Sequence, residues 1–376
     1  MPYINKKIAI ANGKKAYEIL LDLGYDMRSA QRLIDRARLA CNGEVVREKN
    51  AILHGDVTLI EYECKPRWLK PIFETAEFAV FDKPSGVLSH PNGRHCEYSL
   101  NDEIYSLFGR EAAVAHRLDK ETSGLIVVAK NKASQIKLKG LFESRAVSKS
   151  YLAMVRGKVC ASELVRQGLA MEFKALSDDE KIYTNELECV KNGDELALKQ
   201  GEKSAEKFDE NSEREFLKSS FSSLLCDRIN FDNEVFIVNA SMGLAKNYDD
   251  VKTRMRICSV TQGGKSAVTV FEMLCYDERA DASLLRCYPL TGRQHQIRLH
   301  LFHVQHCILG EPLYGLERDD VVRILDGEMS EDERIKLTGA SRLLLHADEI
   351  SFEFKGEKFL IKSAVDVRMD FYKNLK

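Results

Sequence analysis

The chain has 376 residues, of which 44% are hydrophobic and 30% are charged, and its formal net charge is −2. This composition is typical of a globular protein rather than a disordered or fibrous one. The length is sufficient for two or three domains. Its apolar runs fall far short of the about 20 residues of a membrane-spanning helix, and its N-terminus lacks the apolar core of a secretory signal, so we expect a cytoplasmic protein without membrane contact. Its ten cysteines include no CxxC pair, which argues against a structural zinc site or a disulfide framework.

Residues 1–64 are predicted to form a small α+β module. The segment SAQRLIDRARLA (29–40) has apolar residues at helical spacing, with Ser29 as N-cap, and three arginines lie mostly off the apolar stripe: Arg28, Arg32 and Arg36. Asn42-Gly43 predicts a tight hairpin turn, and GDVTLIEY (55–62) predicts a strand. From these residues alone, an unrelated module with a solvated arginine face remains an alternative.

Residues 65–70 are predicted to be a linker, and residues 71–376 a second, larger domain. Strands are predicted in FAVFDKP, GLIVVAK, SYLAMVRG, SAVTVFEML, ASLLRCYPL and RLLLHADEISF, and helices in DEIYSLFGR and KASQIKLKGLFES. Strands and helices do not alternate regularly. We therefore expect an α+β domain with a large mixed, mainly antiparallel sheet rather than a doubly wound parallel sheet.

A third segment, about residues 165–235, differs in composition from the rest. Residues 171–235 hold 17 acidic and 9 basic residues, whereas the remainder of the chain holds 47 basic and 41 acidic residues. We expect an inserted, largely solvated segment here, and the basic remainder permits a polyanionic partner.

The stretch HRLDKETSGLIVVAK (116–130) places Asp119 a few residues before a predicted buried strand, with TSG as a predicted turn. An anchored but accessible loop of this kind often hosts catalytic side chains. The alternative is a solvated loop acid paired with Arg117 or Lys120.

Two further segments carry candidate side chains. In FDKPSGVLSHP (81–91) a turn would present Lys83 and His90 at its edge, although an ordinary surface turn is an equal alternative. In SKSYLAMVRG (148–157), strand alternation puts Lys149 and Tyr151 on the same side. The Tyr151 ring would either pack on the sheet or stack on a planar base.

The segment PLTGRQHQIRLHLFHVQHCILGEPLYG (289–315) is the densest in polar side chains. Helical spacing would put Gln294, Ile297 and Arg298 on one face. Four histidines suggest a metal site: His295, His300, His303 and His306. No carboxylate lies among them in the HExxH manner, so metal binding is the weaker hypothesis.

Together, HRLDKETSGLIVVAK, SKSYLAMVRG, LTGRQHQIRLHL, ILGEPLYG and LLLHA (343–347) resemble the RluA-type family of pseudouridine synthases, over residues 71–160 and 245–360. The N-terminal pattern resembles the S4 RNA-binding domain, with Leu39-Ala40-Cys41 in place of the usual Val-x-Val. His116, where Gly is the alternative, favours this family over its small-subunit relatives. The acidic segment and Glu311, where Asp is common, depart from the family, and we expect neither to touch the core chemistry.

The resemblance implies isomerisation of uridine to pseudouridine in RNA without metal or cofactor. We expect 23S ribosomal RNA as the substrate and a monomeric enzyme. It implies that Asp119 is the nucleophile, that Arg298 pairs with it and that Tyr151 stacks on the uracil. The residues implied to contact RNA are His116, Arg117, Arg293, Arg28, Arg32 and Arg36. A transfer RNA synthase and a non-catalytic RNA-binding or ribosome-assembly factor are the alternatives.

Overall fold

The computed structural model describes residues 3–62, 64–91, 97–172, 228–230, 232–245 and 254–375. Two compact units are formed, and their segments interleave along the chain. The first lies within Met1–Phe81, Val87–Arg117 and Val127–Gln135, and the second within Asp82–Gly86, Leu118–Ile126 and Ile136–Lys376. The predicted acidic insert lies for the most part outside the described residues, and the domain boundaries at 64 and 71 stay predictions.

The first unit begins with a four-stranded antiparallel sheet. Its strands are β1 (Tyr3–Lys15), β2 (Leu39–Cys41), β3 (Glu44–Val45) and β4 (Ile52–Tyr62), in the order β1-β4-β2-β3. Helices α1 (Ala16–Asp22) and α2 (Met27–Asp35) pack on it through a buried apolar cluster that includes Leu20, Ile34, Leu39 and Leu59. The predicted Asn42-Gly43 turn is confirmed: both residues have positive φ, 51° and 86°, and Cys41 pairs with Glu44.

The prediction for the arginine-rich helix was wrong at both ends. The N-cap of α2 is Asp26, whose carboxylate accepts the backbone N–H of Ser29 at 2.9 Å, so Ser29 lies inside the helix. The helix stops at Asp35, because Ala37 takes a left-handed φ of 53° and Leu39–Cys41 joins the sheet. Leu39 therefore belongs to a strand even though it continues the helical apolar spacing.

The remaining strands, in chain order, are β5 (Phe73–Glu74), β6 (Phe78–Lys83), β7 (Ala113–Val114), β8 (Ser123–Ala129), β9 (Ser148–Arg156), β10 (Met171–Glu172), β11 (Val235–Asn239), β12 (Met242–Leu244), β13 (Met255–Ile257), β14 (Val268–Asp277), β15 (Ala282–Pro289), β16 (Leu345–Phe354) and β17 (Glu357–Lys362). Eleven of them form one sheet with the order β10-β11-β14-β15-β9-β16-β8-β6-β5, with β17 beside β16 and β7 beside β8, while β12 and β13 pair separately.

The large sheet is mixed and mainly antiparallel, as predicted. Strand β16 runs antiparallel to β9 and β17 but parallel to β8. The remaining described helices are α3 (Leu100–Phe108), α4 (Lys132–Glu143), α5 (Ala161–Arg166), α6 (Gln296–His303), α7 (Arg318–Asp326), α8 (Glu331–Thr338) and α9 (Val367–Asn374). The fold is thus α+β. No helix in the described ranges is both long and apolar enough to cross a membrane.

Strand β8 is buried along its whole length, and it carries the Asp119 loop at its start. The predicted TSG turn is instead the entry to this strand, where Thr122 and Ser123 are buried. Gly124 has a φ of 106°, and a Cβ there would lie 2.3 Å from the Ala347 carbonyl oxygen on β16. The glycine is required because two backbones meet there, not because the chain turns.

We expect Gly124→Ala to lower the free energy of unfolding by at least about 2 kcal/mol, because the added methyl meets backbone that cannot move aside and the φ is strained. The matched change Gly140→Ala, in the interior of α4, has nothing within 4 Å of its new methyl. It should stabilise the protein by about 0.5–1 kcal/mol. Urea unfolding of both variants checks this. Equal stabilities would show that β8 and β16 can separate at no cost.

Candidate active site

One buried guanidinium joins two carboxylates at the centre of the second unit. Arg298, on α6, donates from Nε to Glu311 Oε2 at 2.8 Å and from Nη2 to Glu311 Oε1 at 2.6 Å. Its Nη1 donates to Asp119 Oδ2 at 3.0 Å. This bidentate pair with a third bond to a separate acid fixes the plane of the guanidinium and hence the position of the Asp119 carboxylate.

Glu311 is held from its other side by the backbone of the loop that carries it. Its Oε1 also accepts the N–H groups of Leu313 at 2.9 Å and Tyr314 at 3.3 Å, and the residue is only 2% exposed. The expectation that Glu311 would not touch the core chemistry was therefore wrong, since it is the principal partner of Arg298. The Asp119 side chain, in contrast, is 28% exposed and accessible to a substrate.

The polar residues before α6 build the turn that aims Arg298. Gln296 Oε1 accepts from Thr291 Oγ1 and from the backbone N–H of Arg293, while its Nε2 donates to Val268 O and to Thr269 Oγ1. The helix begins at Gln296, so Gln294 lies outside it and does not share the predicted face with Arg298. His295 precedes the helix in a left-handed conformation, with φ of 56°.

His295 lies beside the candidate nucleophile, although its sequence position suggested only a metal ligand. Its Nε2 is 3.7 Å from Asp119 Oδ2, and its Nδ1 is 3.1 Å from the Tyr314 hydroxyl. That hydroxyl accepts the Met255 N–H and carries a proton that it can donate to Nδ1, an arrangement that favours the tautomer with the imidazole proton on Nε2, facing Asp119. Burial and the charge of Arg298 lower the pKa of His295, which favours the neutral ring.

The Asp119 carboxyl is poised to be ionised. Burial alone would raise its pKa, but protonated His295, the Arg298 guanidinium and Lys83 outweigh that effect and hold the pKa below its usual value. Arg298 stays charged, because Glu311 and Asp119 raise its pKa against the effect of burial. A carboxylate that is anionic, oriented and partly exposed is the form required of a nucleophile.

Lys83 was predicted at the edge of a turn, but the structure buries it completely. Its ammonium donates to the carbonyl oxygens of Pro84 at 2.9 Å and Lys120 at 3.2 Å. Burial lowers the pKa of Lys83 to about 7, although Asp119 and Glu121 oppose that shift. Lys83 thus ties the residue that follows Asp119 to the end of β6.

Tyr151 lies on β9 at the level where that strand pairs with Ala347 and Cys287. The ring is partly buried and packs against the apolar core. Burial first, and the charge of Asp119 second, raise the pKa of its phenol, so the hydroxyl keeps its proton. Asp119 thus interacts electrostatically with Tyr151 and is hydrogen-bonded to Arg298.

The residues predicted to contact RNA differ in exposure and in hydrogen bonding. His116 Nε2 accepts the Val127 N–H at 3.1 Å, and Arg117 is exposed. Arg293 donates from Nε to the Ser266 carbonyl oxygen at 2.9 Å, a bond that stabilises the turn before α6. Its contact with RNA stays a prediction.

The three arginines of the N-terminal module do not share one surface. Arg28 and Arg32 are exposed on α2 and line an open depression with Gln31 and Lys49. Arg36 follows the helix and lines a separate cavity of about 290 Å³ with Arg38 and Arg110.

Two histidines of this segment, His300 on α6 and His306 after the helix, form hydrogen bonds within the fold. His300 is buried, with Nδ1 2.9 Å from Thr269 Oγ1 and Nε2 3.1 Å from the Ala240 carbonyl oxygen, so both nitrogens are engaged. His306 Nδ1 lies 3.0 Å from the Arg156 carbonyl oxygen. Among the residues that the structure describes, no group of three or more His, Cys, Asp or Glu side chains is placed to hold a metal ion.

Known proteins resemble this chain over the same segments. Residues 77–303 match the family described as RNA pseudouridylate synthase. A Helicobacter pylori protein named as an uncharacterized RNA pseudouridine synthase is 32% identical over 377 positions that cover both chains completely. The tRNA pseudouridine(31) synthase of Saccharomyces cerevisiae is 28% identical over 65% of this chain and 45% of its own. The ribosomal large subunit pseudouridine synthase D of Nitrosomonas europaea is 26% identical over 67% and 51%.

We expect Glu311→Gln to lower the free energy of unfolding by roughly 3 kcal/mol at neutral pH, because it removes the main counter-charge of a buried guanidinium. Glu311→Asp keeps that charge and should lose clearly less. Chemical denaturation of the two variants makes the comparison. If Gln proves as stable as Glu, Arg298 does not depend on this carboxylate.

Proposed function

The chain belongs to the RNA pseudouridylate synthase family, whose members are isomerases, and on that premise we propose that it converts specific uridines of 23S ribosomal RNA to pseudouridine with Asp119 as the nucleophile. The observation that carries the proposal is the pairing of Asp119 with Arg298, which Glu311 holds in place. It supplies the ionised, oriented carboxylate that the reaction needs.

The reaction breaks the bond between N1 of uracil and C1′ of ribose and forms a bond between C5 and C1′. C5 loses a proton and N1 gains one, so the reaction is redox-neutral. Asp119 acts either by attack on the sugar or by removing a sugar proton to give a glycal-type intermediate. Both routes start from the carboxylate, which the lowered pKa of Asp119 favours.

Tyr151 would stack on the uracil while the base turns. Its raised pKa keeps the phenol neutral, so the ring offers an apolar face with a polar edge. A uridine in structured RNA must first leave its stack, at a cost of a few kcal/mol. The exposed Arg117 would occupy the vacated space, and His116 would hold that loop through its bond from Val127.

The N-terminal sheet with α2 is the proposed S4-like RNA-binding module. Its exposed Arg28 and Arg32 suit phosphate contacts, which depend on charge rather than on base sequence. Relatives named for ribosomal RNA and for transfer RNA both occur, and the S4-like module favours ribosomal RNA. The intact set of Asp119, Tyr151 and Arg298 argues against a non-catalytic assembly factor.

Deletion of the gene should remove one or more pseudouridines from 23S ribosomal RNA while leaving those of transfer RNA unchanged. Chemical mapping of pseudouridine in both RNA pools of the deletion strain makes the measurement. Loss confined to transfer RNA would overturn the ribosomal assignment and leave the activity in place.

Complementation supplies the matched control. The wild-type gene should restore the missing pseudouridines, whereas Asp119→Asn, which keeps the shape and removes the charge, should restore none. With purified proteins, release of tritium from 5-tritiated uridine RNA should fall by more than 1,000-fold in Asp119→Asn, on the order of the loss when a catalytic nucleophile is removed. Activity within tenfold of the wild type would remove Asp119 from the nucleophile role.

The double change Arg28→Gln and Arg32→Gln should weaken RNA binding and reduce the slope of log affinity against log salt by about 1.5, since each phosphate contact contributes about 0.7–0.9. Turnover at saturating RNA should change little. The exposed pair Arg318 and Lys336, changed to Gln, removes the same charge outside the module. Equal effects of the two double changes would count against a dedicated RNA-binding face on α2.

A further inference from the structure

A lysine near the site has a cation that no described residue neutralises. Lys149 lies on β9, two residues before Tyr151, and its side chain is partly buried. Within the described ranges its ammonium makes no hydrogen bond and no ion pair, whereas Lys83 and Arg298 have such bonds. Lys149 is therefore a donor of three hydrogen bonds whose capacity the folded chain does not use.

The surroundings of this ammonium disfavour its charge. Burial lowers the pKa of Lys149 to about 8, and no neighbouring carboxylate opposes the shift. A partly dehydrated cation without a counter-ion is unfavourable, and it becomes favourable once an anion binds. An anionic ligand would thus supply the counter-charge that the folded chain does not provide for the Lys149 ammonium.

Lys149 does not belong to the ion pair of the nucleophile. The groups that lower the pKa of Asp119 are His295 in its protonated form, Arg298 and Lys83. Lys149 shares a strand face with Tyr151, and residues two apart on a strand are separated by about 6.5 Å. The ammonium is therefore placed beside the proposed uracil platform without acting on the nucleophile.

Gly292 keeps the approach to this ammonium open. A Cβ on Gly292 would lie 3.8 Å from Lys149 Nζ and would have no other atom within 4 Å. The φ of Gly292 is outside the left-handed region, so neither the backbone nor close packing demands glycine here. What the absent side chain provides is access to Nζ from an exposed position.

We propose that Lys149 binds a phosphate of the RNA backbone next to the uridine that enters the site, reaching it past Gly292. The inference rests on the proposed function and adds a substrate contact to it. An ammonium suits phosphate as a point charge, and the RNA carries one phosphate on each side of the target nucleotide. A contact with a uracil carbonyl oxygen is the competing outcome of the test.

The test uses a synthetic RNA stem-loop that contains the uridine mapped in the deletion strain. In two versions, a neutral methylphosphonate replaces either the 5′ or the 3′ phosphate of that uridine. For the wild-type protein, one of the two replacements should lower kcat/KM by about 10-fold, mainly through KM, as expected for one charge-assisted hydrogen bond. Indifference to both would overturn the proposal without requiring any variant.

Lys149→Met completes the cycle. It should lose about 10-fold in kcat/KM on unmodified RNA and should no longer respond to the sensitive methylphosphonate, because the two changes remove the same interaction. Losses that simply multiply would assign Lys149 to another group, such as a uracil oxygen, and overturn the phosphate contact. Wild-type kinetics in Lys149→Met would also overturn it.

Two further variants separate a local contact from general charge and from misfolding. Lys139→Met, at an exposed position on α4, removes the same charge and should keep both the wild-type kcat/KM and its methylphosphonate response; an equal loss would overturn the local contact. Gly292→Ala should raise KM and blunt that response, and wild-type behaviour would count against access past Gly292. Failure of the wild type to convert the unmodified stem-loop would instead overturn the proposed function, and this inference with it.

Discussion

The site depends on one guanidinium that is shared between two carboxylates of unequal exposure. Glu311 is buried and takes two hydrogen bonds from Arg298, so it determines where the guanidinium lies. Asp119 takes the remaining bond and keeps 28% of its side chain exposed. The same cation thus holds one acid in a buried, structural position and orients the other at an accessible one. The environment separates their roles, because only Asp119 can meet a substrate.

The loop of Asp119 is fixed by backbone contacts as much as by charge. Gly124 lets β8 approach β16 more closely than any side chain would allow, and Lys83 ties the Lys120 carbonyl to the end of β6. Strand β16 lies between β8 and β9 and pairs with both, so Gly124 at the start of β8 and Tyr151 on β9 flank the same residue, Ala347. The proposed nucleophile and the proposed stacking ring are therefore held by strands on either side of β16 in one sheet.

The sequence predicts those parts of the fold and the site that depend on local patterns of residues. Apolar runs predicted the long strands, Asn42-Gly43 predicted its turn, and the family resemblance predicted that Asp119 and Arg298 would meet. It missed residues whose tasks depend on distant partners. Glu311 looked like a neutral departure because nothing local shows that it faces Arg298. The buried ammonium of Lys83 donates to the Lys120 carbonyl group, which is 37 residues away. Asp26 rather than Ser29 is the N-cap, and the choice between two polar residues three positions apart depends on where the chain enters the helix.

The cations around Asp119 divide the electrostatic work of a site for a polyanion. Arg298 is committed to two carboxylates, so its charge orients the nucleophile and has little left to attract RNA. Burial and Arg298 both keep His295 towards neutrality, and Lys83 is turned inward to carbonyl groups. An anionic substrate that approaches an anionic nucleophile therefore needs an additional, uncommitted positive charge. Lys149 meets that condition: burial alone shifts its pKa, and its ammonium lies 3.8 Å from the position of a Cβ on the exposed Gly292.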